Sequence, residues 1–293
     1  MPALQEFRPE LWAPNLIVDT DKALVFGNVA NRNYEGEISG YGSVIKVNEI
    51  GDVAEGAYTE GDDITVPELT GAQKEMVIDQ KRYSAFKVDD VLSVQARGNV
   101  REAGTRKMGF SIADTADQYI AALYSEAGVT NSNLGTSGSS ATVYATGATL
   151  PLVEMITNWH RYLDENDAPS MGRWAVVPPW FHQYLKYAQI VDDSSTGSMK
   201  TPDSQSIGNG FIGSGIGFNW YASNNVDNNG TQYRVMFGTE DAISFAMQIM
   251  KMEAFRMEKQ FADLVRVLWV YGAKVIRPDH LGTAYLAAGG LTT

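Results

Sequence analysis

Between Phe86 and Gly128 the chain reads FKVDDVLSVQARGNVREAGTRKMGFSIADTADQYIAALYSEAG, and within this stretch strand-like sequence gives way to helix-like sequence. Asp89 and Asp90 stand where an N-cap and a first helical turn are expected. Apolar residues then recur at Met108, Ile112, Ala116, Tyr119, Ile120 and Leu123, the three-to-four spacing of one helical face. A single helix from Asn99 to Ala127 is about 40 Å long at about 1.5 Å per residue, enough to act as a spine for the other elements. Gly104 and Gly109 each cost about 1 kcal/mol in a helix interior, so the alternatives are one continuous helix, a kinked one, or two.

A chain of 293 residues, 44% of them apolar, can bury a large core and has room for one large or two ordinary domains. No apolar run approaches the roughly 20 residues that span a bilayer. The opening MPALQEFRPELW lacks the basic-then-apolar order of a signal peptide, so synthesis in a cytoplasm is expected. With no cysteine, disulfides and thiolate metal sites are excluded, and stability must come from packing or from partners.

The 35 acidic and 23 basic residues leave a net charge of −12, which argues against an extended nucleic-acid footprint, because phosphate contacts need clustered Lys and Arg. The imbalance is uneven. From Val47 to Gln73 there are seven carboxylates (Glu49, Asp52, Glu55, Glu60, Asp62, Asp63 and Glu68) and no Lys or Arg, whereas Arg97 to Lys107 carries four basic residues and one Glu. A solvated acidic loop and a docking surface both fit; the contrast between the stretches favours docking. Residues 231–293 are near neutral, with seven basic and six acidic side chains.

Residues 1–42 hold Pro2, Pro9 and Pro14, a short helix expected over Leu16–Val29, and the Gly- and Asn-rich NRNYEGEISGYG. With too little apolar surface for a core of its own, this segment reads as an arm lying on something else. Residues 43–88 are strand-like around a Gly-rich acidic middle, a long β-hairpin in which Val44, Ile45, Val47 and Ile50 pair with Met76, Ile78, Tyr83 and Phe86. A two-stranded ribbon is marginal alone and is expected to lean on a neighbouring chain. After the spine, GVTNSNLGTSGSSATVYATGATL is a loop or linker.

From Pro151 helix and strand alternate. Leu152, Met155, Ile156, Trp159 and Leu163 mark one helical face, RWAVVP a short buried strand, and PWFHQYLKYAQIV a helix with Pro179 at its start. GIGFNWYASNNV and TQYRVMFG read as strands, and TEDAISFA as a helix capped by Thr239 with Glu240 and Asp241 in its first turn. QIMKMEAFRMEKQFADLVRVLWVYGAKVIRPD is mostly β, with LVRVLWVY continuous enough for a central strand and Pro278 ending the pairing.

Catalytic and metal-binding groups are not evident. His160, His182 and His280 fall on separate elements, without a second His or carboxylate recognised at metal-ligand spacing, and there is no G-x-S-x-G elbow. DENDAP at 164–169 begins like a calcium loop but lacks its glycine and closing glutamate, and reads as a turn. Gly208-Asn209-Gly210-Phe211-Ile212-Gly213 matches G-x-G-x-x-G literally, yet it follows a polar loop and precedes GIGFNWYASN rather than opening a helix. No catalytic residue, cofactor or metal ligand is therefore assigned. Gly208, Gly210, Gly213, Gly215 and Gly217 are read as structural, providing tight turns and close backbone approach.

The order of parts is arm, acidic hairpin, spine, α/β domain and terminal strands. In this it resembles the major capsid proteins of tailed double-stranded DNA bacteriophages, whose shell-forming fold is shared with encapsulin nanocompartments and the floor of herpesvirus capsids. The likeness covers roughly Leu11 to Leu286 and is carried by diffuse passages in the family's order. ITVPELTGAQKEMVIDQKRYSAFKVDDVLSVQA (64–96) resembles the hairpin's return strand entering the spine, and RWAVVPP (173–179) a central strand with its proline. IGSGIGFNWYASNNV (212–226) is similar to the glycine-then-strand passage ending in Ser-Asn-Asn, and WVYGAKVIRPDHL (269–281) to the closing strand.

The resemblance implies an α+β phage major-capsid fold with an N-terminal arm (1–42) and an extended β-hairpin loop (43–88). It also implies a peripheral domain with the spine helix (89–149 and 247–293) and an α/β axial domain (150–246) around five-fold and six-fold axes. It further implies pentamers and hexamers in an icosahedral virion shell that encloses double-stranded DNA without sequence-specific binding, assembled without a membrane. A portal, a decoration protein and, because the chain starts at Met1 shortly before the arm, a separate scaffolding protein are implied partners. In this fold the loop crosses an adjacent peripheral domain, so Glu55, Glu60, Asp62 and Asp63 are expected to meet Arg97, Arg101, Arg106 and Lys107 between subunits, with the five glycines near a symmetry axis. Lys46, Lys74 and Lys81 lie in the hairpin, but no motif carries over the crosslinking chemistry of some relatives. The alternatives are an encapsulin-type shell around an enzyme cargo and a nucleotide-dependent enzyme using the Gly208–Gly217 loop.

Overall fold

The computed structural model describes residues 24–35, 44–50, 60, 71–89, 100–129, 132–143, 152–187, 210–257 and 260–288. Its spine is α2 (Val100–Ala121), about 33 Å at about 1.5 Å per residue, continued by a 3₁₀ turn Ala122–Glu126. The helix passes both glycines without a break. Gly109 is exposed in open space, whereas at Gly104 a Cβ would lie 2.7 Å from the ring of Phe86, so this glycine lets strand and helix approach closely. Met108, Ile112, Ala116 and Ile120 are buried along the expected face, with Tyr119 and Leu123 packed beside them.

Asp89 is not a helix cap. It ends β3 (Gln80–Asp89), where it pairs with Ala262 of β10 (Ala262–Val275); Asp90 lies outside the described residues. A ladder running the length of β3 outweighs one local capping bond. The same ladder splits the expected hairpin. β1 (Val44–Ile50) pairs with β2 (Gly71–Val77) from Val44↔Val77 to Ile50↔Gly71, so Ile45 meets Met76 as anticipated. Tyr83 and Phe86 instead face Leu268 and Val265 of β10. The chain steps from one sheet to the other at Ile78 and Asp79. Of the helix expected over Leu16–Val29, residues 24–29 are described; Phe26–Val29 is helical (α1), and Leu24 and Val25 are not.

β10 is the middle strand of a three-stranded sheet, between β3 and β9 (Ile243–Arg256), as its continuous apolar run predicts. TEDAISFA is not a helix. Thr239 makes no capping bond, Glu240–Ala242 is a single 3₁₀ turn, and Ile243 and Phe245 are buried in β9 opposite Val275 and Ala273. β-branched and aromatic residues with a long partner strand override a local cap signal.

The second sheet has six strands in the order β4-β11-β8-β5-β7-β6. These are β4 (Ala141–Val143), β5 (Arg173–Val177), β6 (Phe211–Gly215), β7 (Phe218–Ala222), β8 (Tyr233–Thr239) and β11 (Leu281–Ala288). α3 (Leu152–Glu165) buries all five residues of its expected face, and α4 (Pro179–Tyr187) starts at its proline. Trp159 of α3 stacks on Phe237 at 4.8 Å and is flanked by Phe181 and Trp220. Pro278 ends β10's pairing in a 3₁₀ turn, Pro278–His280, but the chain then continues into β11, antiparallel to β8 and parallel to β4. This pairing divides the grouping of 247–293 between the two sheets, as β3 divides that of 43–88. One core runs through both sheets and the spine; a satellite cluster of Ile45, Met76, Ile78, Ala246 and Val270 lies under the hairpin.

Candidate functional site

The Gly-rich passage forms a hairpin. Ile216 and Gly217, at φ 48° and 75°, make the two-residue turn between β6 and β7, positive φ at both central positions being the condition of a type I′ turn. A Cβ on Gly217 would lie 2.5 Å from His160 Nε2. At Gly210, φ 71°, a Cβ would lie 2.7 Å from both the Ala222 carbonyl and Val25 Cγ2. Gly213 sits at a register shift in β6, and the Gly215 carbonyl accepts from Trp220 Nε1 at 3.0 Å. Gly208 lies outside the described residues. Gly210 to Gly213 thus leads into a strand, and the helix N-terminus that a pyrophosphate loop requires does not follow it.

Of the charged residues expected to meet between subunits, Glu55, Asp62, Asp63 and Arg97 lie outside the described residues. Glu60 is exposed in a turn; Arg101 lies in the first turn of α2, its side chain outside the description. Arg106 donates to Glu102 one helical turn earlier at 2.7 Å, both half-exposed or more, and Lys107 is exposed beside it. Within one subunit these two described cations stand on the surface of the spine.

The hairpin hydrogen-bonds to no third strand among the described residues. It is held at the middle of its ladder by Lys74 Nζ, which donates to the Ile276 carbonyl at 2.7 Å, and at its base by the cluster around Ile78. In the step to β3, Asp79 accepts from the Tyr119 hydroxyl at 3.3 Å, and burial together with the Asp79 carboxylate pushes the Tyr119 phenol up to about 12. Val44 and Val77 face each other on the hairpin's open side and are exposed. Tyr83 and Phe261 are 80% and 79% exposed; Phe255 is exposed on the same face of the three-stranded sheet as Tyr83 but on the other edge strand, and Met252 is exposed on the opposite face.

Two polar clusters were not recognised in the sequence. His160 and Asp164, one helical turn apart on α3, meet Arg173, whose side chain is fully buried. The guanidinium donates to Asp164 Oδ1 at 2.6 Å and to the carbonyls of Ala168, Pro169 and His160 at 2.7, 2.8 and 3.3 Å, fastening the loop after α3 in which Asp167 takes φ 54°. Arg173 holds the Asp164 carboxyl below the usual range. His160 Nδ1 is 3.1 Å from both Asp164 Oδ2 and Arg173 Nη1, and can donate to the first or accept from the second.

The second cluster is Asp117, a fully buried carboxylate on the spine. Its Oδ1 accepts the backbone N–H groups of Val25, Phe26 and Gly27 at 3.0, 2.6 and 3.3 Å, capping α1 from another helix. Its Oδ2 accepts from Ser223 Oγ at 3.5 Å and Asn225 Nδ2 at 3.4 Å, and Asn225 also donates to Asp114 Oδ1 at 2.8 Å. Burial pushes the Asp117 carboxyl up to about 6, against the hydrogen bonds that favour its charged form. The available signal was a carboxylate inside the apolar arc, between Ala116 and Ile120; its partners about a hundred residues away on either side were not legible.

Among the described residues no group of three or more His, Cys, Asp or Glu side chains forms a metal site, and no helix is long and apolar enough to cross a membrane. Comparison with solved structures finds the same fold in phage capsids. A chain of Mycobacterium phage Che8 superposes with a TM-score of 0.70 at 25% identity, over 96% of this chain and 98% of that one. A chain from the capsid of cyanophage P-SCSP1u gives 0.70 at 17%, over 97% and 94%, and one from the capsid of Ralstonia phage GP4 gives 0.67 at 14%, over 100% and 99%. No protein of curated function matches the chain in sequence. A family model described as phage capsid protein matches residues 73–286, and the chain accordingly belongs to the phage capsid protein family.

Proposed function

We propose that this chain, a phage major capsid protein that forms the shell, assembles as pentamers and hexamers into the icosahedral container of a double-stranded DNA genome. Its role is structural, and its place is the virion. The observation that carries the assembly reading is the β1–β2 hairpin, a two-stranded ribbon with exposed Val44 and Val77, paired to no third strand among the described residues and anchored at its middle and base. Two strands are marginal in water. A neighbouring subunit supplies the missing cover, and the exposed side chains of Tyr83, Phe255 and Phe261 are further apolar surface open to it.

In this reading residues 1–42 are the arm and 43–77 the loop that reaches a neighbour, the spine and the three-stranded sheet form the peripheral unit, and 150–242 with β11 the axial unit near the symmetry axes. Scaffolding, portal and decoration proteins are the partners that such a shell takes. The phage neighbours favour a genome container over an encapsulin-type compartment. The test is negative-stain or cryo-electron microscopy of the expressed full chain, with and without genes adjacent to its own. Closed shells of pentamers and hexamers are expected; a persistently monomeric chain under all conditions, or a shell packed with one enzyme, overturns the reading.

A further inference from the structure

β9 is an edge strand whose two halves differ. The outer side of its first half is occupied: the Asn31 N–H donates to the Ile243 carbonyl, and the Phe245 N–H to the Asn31 carbonyl, each at 2.9 Å. Beyond Phe245 no strand pairs with this side among the described residues. There Ile249, Met250 and Met252 are 58%, 41% and 58% exposed, an apolar edge of the kind that pairs with another chain. Single edges are commonly blunted by lysine, but Lys251 is balanced by Glu253, two residues on and in contact with it, so the edge does not repel a second strand. We propose that this half of β9 pairs antiparallel with the same half of β9 in a second copy of the chain, about a two-fold axis at Met252, joining two three-stranded sheets into one of six strands.

Charge fixes the register. A two-fold contact is isologous, so the strand must complement itself. Centring the pair on Lys251 or on Glu253 sets like charges face to face, and centring it on Ala254 leaves Lys251 opposite Met257 and Glu253 opposite Phe255. Centring it on Met252 sets Lys251 opposite Glu253 twice, at the spacing of about 4.5–5.5 Å between Cβ atoms at which cross-strand charges attract. Glu253 lies opposite Arg266 of β10, whose Nε donates to it at 2.7 Å, so each half of the joined sheet gains a row of Arg266, Glu253 and the other copy's Lys251. On the other face Met252 meets its own counterpart. The ladder is short, because Met250 is the extra residue of a bulge against β10 and ends the regular run. A contact this small suits a closed assembly that repeats it many times, a consequence that rests on the shell reading while the pairing itself does not.

The chain has no cysteine, so one introduced thiol reports on one position. Full-length chains carrying Met250→Cys, Met252→Cys or Ala254→Cys, unassembled and in assembled particles, are oxidised mildly and separated on non-reducing gels. In this register the two copies of residue 252 stand about 4.5–5.5 Å apart at Cα, within disulfide reach, whereas residues 250 and 254 each stand about 13 Å or more from their counterparts at about 3.3 Å per residue. Dimer is expected from Met252→Cys and only background from the other two, and mixing Lys251→Cys with Glu253→Cys chains should give the mixed dimer. Adding Lys251→Glu to Met252→Cys gathers carboxylates at the axis and should lower the dimer yield several-fold, with recovery near 1 M salt. A Met252→Cys yield no higher than its neighbours', a maximum at Ala254→Cys, or an undiminished yield with Lys251→Glu overturns the pairing. Shells that close without the crosslink refute the pairing and leave the shell reading intact; a Met252→Cys crosslink in a chain that never closes a shell does the reverse.

Discussion

The two spine glycines pose a matched experiment in which the same substitution is expected to have opposite signs. Both lie inside α2, where replacing Gly by Ala gains about 1 kcal/mol of helix propensity. At Gly109 the new methyl meets nothing within 4 Å, so Gly109→Ala should realise that gain. At Gly104 it would lie 2.7, 2.9 and 3.2 Å from three ring atoms of Phe86, and an ordinary contact requires the ring or helix to retreat by a substantial fraction of an ångström. Phe86 is held by a strand paired on β10, and overpacking of this kind costs about 1–3 kcal/mol. The propensity gain offsets part of that, leaving Gly104→Ala destabilising by up to about 2 kcal/mol. Urea unfolding of unassembled subunits, followed by tryptophan fluorescence, should place the two variants on opposite sides of the wild type. A thermal scan should separate them by a few degrees at about 2 °C per kcal/mol. In a Phe86→Leu background the Gly104→Ala penalty should vanish, with a coupling energy of about 1–3 kcal/mol. If both alanines stabilise equally, or Gly104→Ala remains harmful without the ring, the packing argument is wrong.

Three further outcomes are expected. Arg173 lowers the Asp164 carboxyl, so that pair's contribution is in place above the unfolded value near 3.9 and is lost as pH falls through the lower folded value; Asp164→Asn should abolish the acid loosening of residues 166–172 seen by hydrogen exchange below about pH 4. Changing Asp62 and Asp63 to Lys should impair shell formation in sedimentation at low salt, and adding Arg101→Glu and Arg106→Glu should partly restore it. Each rim pair is worth about 0.2–1 kcal/mol, and both effects should fade near 1 M salt, whereas normal assembly of the first variant at low salt makes the acidic stretch a solvated surface. Calorimetry should find no ATP or NAD affinity tighter than about 1 mM, about −4 kcal/mol, because the Gly210–Gly213 passage enters a strand; saturation at micromolar ligand contradicts that.

What was legible in the sequence follows the range of the forces involved. Leu152, Met155, Ile156, Trp159 and Leu163 declared α3 because one face of one helix meets a core whatever else surrounds it, and RWAVV declared a buried strand bounded by Gly172 and Pro178. Asp89 and Thr239 misled for a common reason. Each offers a cap to a helix that a distant strand forbids, and the ladders on β10 are written in residues far along the chain. LGTAYLAA gave no strand signal, since alanine and glycine are poor strand formers and β11 exists because β8 and β4 leave a slot between them. The glycine passage was legible as structural; its neighbours, Val25 and His160, were not, and neither were Asp117's partners.

The place of the last strands sets the timing of folding. β10 is the middle strand of one sheet and β11 lies between β4 and β8 in the other, and each leaves the ribosome after both strands that it pairs with. Until they emerge, β3 and β9 lack their common neighbour, and β4 cannot join β8. The β3–β10 and β4–β11 pairings, remote in sequence, form slowly, since loop closure must be met before contacts reward it. A nascent chain therefore carries a spine and a hairpin but neither finished sheet, and it cannot offer the surface on which a second subunit would dock. Emergence of β10 and β11 becomes the step that licenses association, so that chains still lacking them on one messenger do not nucleate partial assemblies with each other.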